Sequence, residues 1–350
     1  CSSDLSTLRA VYCPRLLPVA RRSPHKVTMT HRELPIRERY LGGLWGSVIG
    51  DALGVPVEFS TRAERDRDPV QGVRGYGTYN QPPGTWSDDS SLMLCSLHSL
   101  LERGFDLADM GQRFVRYLTD SYMTPHGSVF DVGIATATAI DKLRAGCIAE
   151  EAGGKGERDN GNGSLMRILP IALFFYRESA PDLIARAHLA SRVTHGHPRS
   201  QLACGYACLF IARLLCGDSA AVAYERVNAQ IPRLYSDSHW QSELPHFARI
   251  LSGRLAGEPK STIRGSGYVV HTLEASVYLL LRSSTYSQTV LDAINLGEDT
   301  DTTACVAGGM AGVLYGEAAI PKDWLAPLAR REHLDTWFRL FVDNVQPADS

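Results

Sequence analysis

From Tyr40 onward, apolar residues recur with a period of three to four. That is the spacing of a helix that buries one face. Leu92, Leu94, Leu97, Leu100 and Leu101 line such a face over Ser90–Arg103, and Gly104 supplies a stop. The same pattern predicts helices over Asp131–Arg144, Ser164–Tyr176, Asp182–Val193, Arg199–Leu215, Tyr268–Arg282 and Thr302–Tyr315. Strict two-residue alternation over five or more positions is hard to find, which argues against strands alternating with helices. No repeat of 20–50 residues is present. The pattern predicts an all-α fold, a single compact multi-helix domain over residues 29–350.

Two predicted helices share a peculiarity. Gly42, Gly46, Gly50 and Gly54 recur every four residues, as do Ala304, Gly308, Gly312 and Gly316. Glycine inside a helix costs about 1 kcal/mol relative to alanine. Its repetition on one face points to close backbone approach by another element. The spacing does not say whether the two faces meet each other.

Composition narrows the class. The chain has 350 residues, 44% hydrophobic and 21% charged, with a formal net charge of −2. That excludes disorder and gives no electrostatic case for nucleic acid. The net charge hides a division: residues 1–28 carry +4 and the remainder −6. Pro14, Pro18 and Pro24 break any helix in this basic leader, which reads as a disordered segment or a partner-binding arm. No apolar run reaches the ~20 residues a membrane span needs. Eight cysteines without a C-x-x-C pair point to buried free thiols and a reducing, cytoplasmic home.

Chemistry concentrates in a few segments. Gly84-Thr85-Trp86-Ser87-Asp88-Asp89-Ser90 and Gly297-Glu298-Asp299-Thr300-Asp301-Thr302-Thr303 each lead into a helix. Capping accounts for one oxygen at each helix start. It does not account for several crowded together, because close carboxylates repel unless a cation neutralises them. Oxygen-only ligands suit hard cations, Mg²⁺ or Mn²⁺. Asn160-Gly161-Asn162-Gly163-Ser164 is a turn with Ser164 as cap, or a loop whose N–H groups hold phosphate. Thr194-His195-Gly196-His197-Pro198 punctuates a loop, or contacts a metal or phosphate. Glu58 and Asp131 are surface caps or general bases.

In order, GDALGVPVEF, GTWSDDSSL, the FDVG of Phe130–Gly133, GNGSLMR and GEDTDTTA resemble the ADP-ribosylglycohydrolase family over roughly Tyr40 to Gly316. The resemblance implies an all-α fold with two Mg²⁺ ions, Mn²⁺ being an alternative. Ser87, Asp88, Asp89, Asp299, Asp301 and Thr302 match the family's metal ligands. Gly161, Asn162, Gly163, Ser164 and His195 match positions that receive the diphosphate and proximal ribose. Asp131 matches the acidic residue that serves as base or proton shuttle in the nitrogenase-type members, and Glu58 the glutamate that serves that purpose in members acting on serine linkages. Ser87 stands where threonine is commoner, and Ile134 where nitrogenase-type members have asparagine. The implied activity is removal of ADP-ribose from arginine of a modified protein, with ADP-ribose as product. Hydrolysis of ADP-ribosyl-serine or of O-acetyl-ADP-ribose is the nearest alternative. A further alternative is an immunity-type protein that neutralises an ADP-ribosyltransferase toxin with the leader as its arm.

Overall fold

In a computed structural model, residues 34–345 are described. They form α-helices and short 3₁₀ turns, with isolated bridges pairing Gly154 with His195 and Gly161 with Tyr268. The basic leader lies outside the described residues. The two glycine-bearing helices form the centre. Ile36–Gly54 and Thr300–Tyr315 run antiparallel, each buried along nearly its whole length. A Cβ on Gly42, Gly46, Gly50 or Gly54 would overlap the backbone of Gly312, Gly308, Ala304 or Asp301 in turn. The two small-residue faces therefore meet each other, backbone against backbone. Other helices pack around this pair, including Asp88–Arg103, Pro198–Leu215, Val269–Arg282 and Arg331–Val345.

This packing yields a stability prediction. In an open helix, Gly→Ala gains about 1 kcal/mol. At Gly46 the added methyl would meet the Gly308 carbonyl and the Tyr286 ring. Gly46→Ala is expected to destabilise the fold by about 2 kcal/mol, as overpacking does. Urea unfolding measures it, and a raised midpoint would show that the helices stand further apart.

Two helices start well downstream of where the periodicity puts them, the others within a residue or two. The helix predicted from Asp131 begins at Ile134. The Asp131 carbonyl accepts from the Tyr117 hydroxyl at 2.7 Å, so residues 131–133 stay extended. The helix predicted from Ser164 begins at Leu169. Pro170 has no N–H to bond back to Met166, and the Met166 carbonyl accepts from the Cys305 thiol at 3.6 Å. The six described cysteines are free, with Cys204 and Cys208 in the core. Among the described residues, no helix is long and apolar enough to cross a membrane.

Candidate active site

Three helix ends converge because the glycine faces hold them together. The first helix carries Asp51 in its last turn, and a 3₁₀ turn at Val55–Val57 delivers Glu58. The Asp88–Arg103 helix starts beside Asp51: its carboxylate accepts from Ser87 N at 2.9 Å, Ser90 N at 3.0 Å and Ser90 Oγ. The Thr300–Tyr315 helix is tied in by Thr300 Oγ1 donating to the Gly54 carbonyl at 2.8 Å.

Capping explains only part of what stands there. Ser87 caps its helix, accepting from Asp89 N at 3.2 Å. Asp299 occupies the cap position of its helix without a side-chain capping bond. Its carboxylate accepts instead from Asn162 Nδ2 at 2.8 Å. Ser87 Oγ and Thr302 Oγ1 both donate to Asp89 Oδ2, at 3.0 and 3.2 Å. Asp88 Oδ2 accepts weakly from Gly133 N. All six oxygen-bearing residues singled out from sequence thus line one buried region.

Two carboxylate groups stand out within it. Asp51, Asp89 and Asp301 each offer an oxygen within 4.8 Å of the others, and so do Glu58, Asp299 and Asp301. Asp301 belongs to both. Asp89 Oδ1, Asp299 Oδ1 and Glu58 Oε2 are buried without a hydrogen-bond partner. A buried acceptor left unsatisfied is costly, and an oxygen-seeking cation would satisfy all three. These clusters can hold metal ions.

The electrostatics agree. Burial raises Asp88, Asp89 and Asp301 well above the usual carboxylate range, and neighbouring carboxylates add to it. Asp299 and Asp131 are raised for the same first cause. Glu58 is pushed up to about 9 by burial, then by Asp131 and Asp299. Asp51 reaches about 6 through burial, against the bonds from Ser90 and Ser87. A carboxyl raised on folding stabilises the fold below its unfolded value near 4 and loses that contribution as pH rises through its folded value. Without divalent cation, the thermal midpoint is expected to fall between pH 5 and 9, and Mg²⁺ is expected to restore it. Melting curves in chelator would refute this if the midpoint rose or stayed flat.

The glycine loop lies directly over His195. A Cβ on Gly163 would meet His195 Cε1 and Thr136 Oγ1 at 2.8 Å, so only glycine lets the backbone pass there. His195 is buried and bonded to Thr194 Oγ1 at 2.9 Å, which also accepts from the buried Arg167. Burial, then Arg167, depresses it to about 3, so it is neutral at physiological pH. Two loop side chains face inward. Asn162 joins Asp299 to Thr272, and the Ser164 hydroxyl accepts from Ser191 Oγ at 2.9 Å.

Asp51 and Tyr79 were not picked out from the sequence as functional. Tyr79 stands beside both Glu58 and Asp131, the two candidate bases. It sits in an irregular loop, where no periodicity marks it. Asp51 had a signal, a lone carboxylate on a small-residue helix face.

A family profile described as ADP-ribosylglycohydrolase matches residues 32–348. The chain belongs to the ADP-ribosylglycohydrolase family. It is 31% identical over 316 residues to the ADP-ribosylarginine hydrolase Tri1 of Pseudomonas putida (strain GB-1), covering 89% of this chain and 80% of the relative. It is 29% identical over 297 residues to the ADP-ribosyl-[dinitrogen reductase] glycohydrolase of Rhodospirillum rubrum, covering 84% and 91%. It is 28% identical over 337 residues to the ADP-ribosylhydrolase ARH3 of Danio rerio, covering 87% and 90%. A solved structure titled as an ADP-ribosylglycohydrolase-related protein complex superposes with a TM-score of 0.74 at 31% identity, covering 89% of this chain and 99% of its own. This ADP-ribosylglycohydrolase is thus an all-α enzyme for hydrolysing glycosidic bonds of ADP-ribose.

Proposed function

We propose that this ADP-ribosylglycohydrolase is an Mg²⁺-dependent enzyme that removes ADP-ribose from arginine side chains of modified proteins, reversing mono-ADP-ribosylation. The observation that carries it is the pair of carboxylate groups sharing Asp301, one of which includes Glu58, with Asp131 nearby. Ser87, Asp88, Asp89, Asp299, Asp301 and Thr302 would hold two ions, with Asp51 and Glu58 adjacent. Bound Mg²⁺ would orient sugar hydroxyls and lower the pKa of a water.

The remaining work falls to the protein's own groups. The Gly161–Gly163 backbone above neutral His195 would receive the diphosphate and proximal ribose. Asn162 holds Asp299 in place. Asp131, raised by burial, is suited to take a proton from the attacking water. Tyr79 stands beside both Asp131 and Glu58. A site this rich in carboxylates favours a cationic acceptor, and two relatives carry arginine-hydrolase names.

The test uses one peptide sequence carrying ADP-ribose on arginine or on serine. Release of ADP-ribose from the arginine conjugate, stopped by chelator and restored by Mg²⁺, is the expected result. Preference for the serine conjugate would refute the arginine reading.

A further inference from the structure

Glu58 is followed by an aromatic residue that the fold holds out into solvent. Phe59 is 68% exposed, although it adopts a left-handed backbone with φ of 63°. Such a conformation is unfavourable for a bulky residue and persists only when its surroundings enforce it. Here the enforcement is visible. Phe59 N donates to the Glu298 carbonyl and Glu298 N to the Ser60 carbonyl, both at 2.7 Å. Glu298 is itself left-handed, with φ of 65°. The loop carrying Asp299 and Asp301 thus pins Phe59 outward.

Phe59 begins an aromatic strip. Its ring lies 6.2 Å from that of Tyr79, which lies 5.1 Å from that of Phe130. Tyr79, in the middle of the strip, is a near neighbour of the Glu58 and Asp131 carboxylates. Aromatic faces beside carboxylates suit one kind of partner, a flat delocalised cation. Guanidinium stacks on rings and pairs with carboxylates, whereas the uncharged glycosidic oxygen of a serine linkage can do neither.

We infer that Phe59, with Tyr79 and Phe130, forms a specificity strip that stacks on the guanidinium of the acceptor arginine while Glu58 and Asp131 face its charge. This rests on the arginine reading and extends it by assigning the residues that recognise the acceptor.

Phe59→Ala and Phe59→Tyr test it, assayed on an ADP-ribosyl-arginine peptide, with binding of free ADP-ribose as the control. ADP-ribose lacks the guanidinium, so its affinity is expected to stay within about 2-fold. For Phe59→Ala, kcat/KM on the arginine conjugate is expected to fall about 10-fold, mostly through KM, and Phe59→Tyr to stay near wild type. Unchanged kcat/KM in Phe59→Ala would overturn the strip alone. So would an equal loss of ADP-ribose affinity, which would mark a general structural role. A wild-type enzyme inactive on the arginine conjugate would overturn the arginine reading, and the strip with it.

Discussion

Replacing Asp301 by asparagine is expected to lower kcat/KM by at least about 10³-fold, on the scale of lost metal-centred charge stabilisation. Asp301 is chosen because it alone belongs to both carboxylate groups. Asp89→Asn disturbs one group only and is expected to leave measurable cation binding, whereas Asp301→Asn should remove it. The stability of the variant should move the other way. Asp301 is fully buried among like charges, and its carboxyl is raised well above the normal range by burial and then by Glu58 and Asp89. A neutral amide of the same shape removes that repulsion. In chelator at pH 8, Asp301→Asn is therefore expected to melt higher than wild type while being inactive. Lost activity with gained stability is the signature of a residue kept for function. Calorimetric Mg²⁺ titration, melting curves and turnover together decide it, and near-wild-type turnover would sink the assignment of Asp301.

Much of this site was legible because its chemistry is local in sequence. Asp88 and Asp89 are adjacent, Asp299 and Asp301 alternate, and a spacing of four marked both glycine faces. What spacing does not carry is partnership. A four-residue repeat says which residues share a face, not which helix that face meets. The meeting of Gly42–Gly54 with Ala304–Gly316 brings Asp51 against Asp89 and Asp301, and that required coordinates. Local rules also misplaced two helix starts, each through one distant bond. Tyr117 captures the Asp131 carbonyl, and Cys305 takes the carbonyl that Pro170 cannot use. The partners of loop side chains were the least legible. Asn162 and Ser164 sit in the motif that suggested phosphate binding through backbone N–H groups, and their side chains bond Asp299 and the core, partners that spacing does not name. Tyr79 had no pattern to betray it, since an aromatic in an irregular loop is silent until its ring and hydroxyl partners are known.

The two candidate bases can be separated by what surrounds them. Glu58 offers an oxygen within 4.8 Å of Asp299 and Asp301, while Asp131 belongs to neither carboxylate group. Glu58 Oε2 is also buried and unpartnered. Glu58 is therefore placed to help hold a cation, and Asp131 is left available for a proton. Asp131→Asn is expected to lower kcat by about 10²–10⁴-fold, the range of general-base catalysis, with Mg²⁺ affinity within a few-fold of wild type. Glu58→Gln is expected to weaken Mg²⁺ binding, with part of its lost rate recovered at high Mg²⁺. The pH profile separates them again. A base must be ionised to accept a proton, so the acidic limb of the wild-type rate should report its titration, and Asp131→Asn should remove that limb. Glu58→Gln should keep it. If instead Asp131→Asn loses its cation and Glu58→Gln loses the acidic limb at saturating Mg²⁺, the roles are reversed. Glu58 and Asp131 act on each other electrostatically and share Tyr79 as a neighbour, so the two substitutions should also be non-additive.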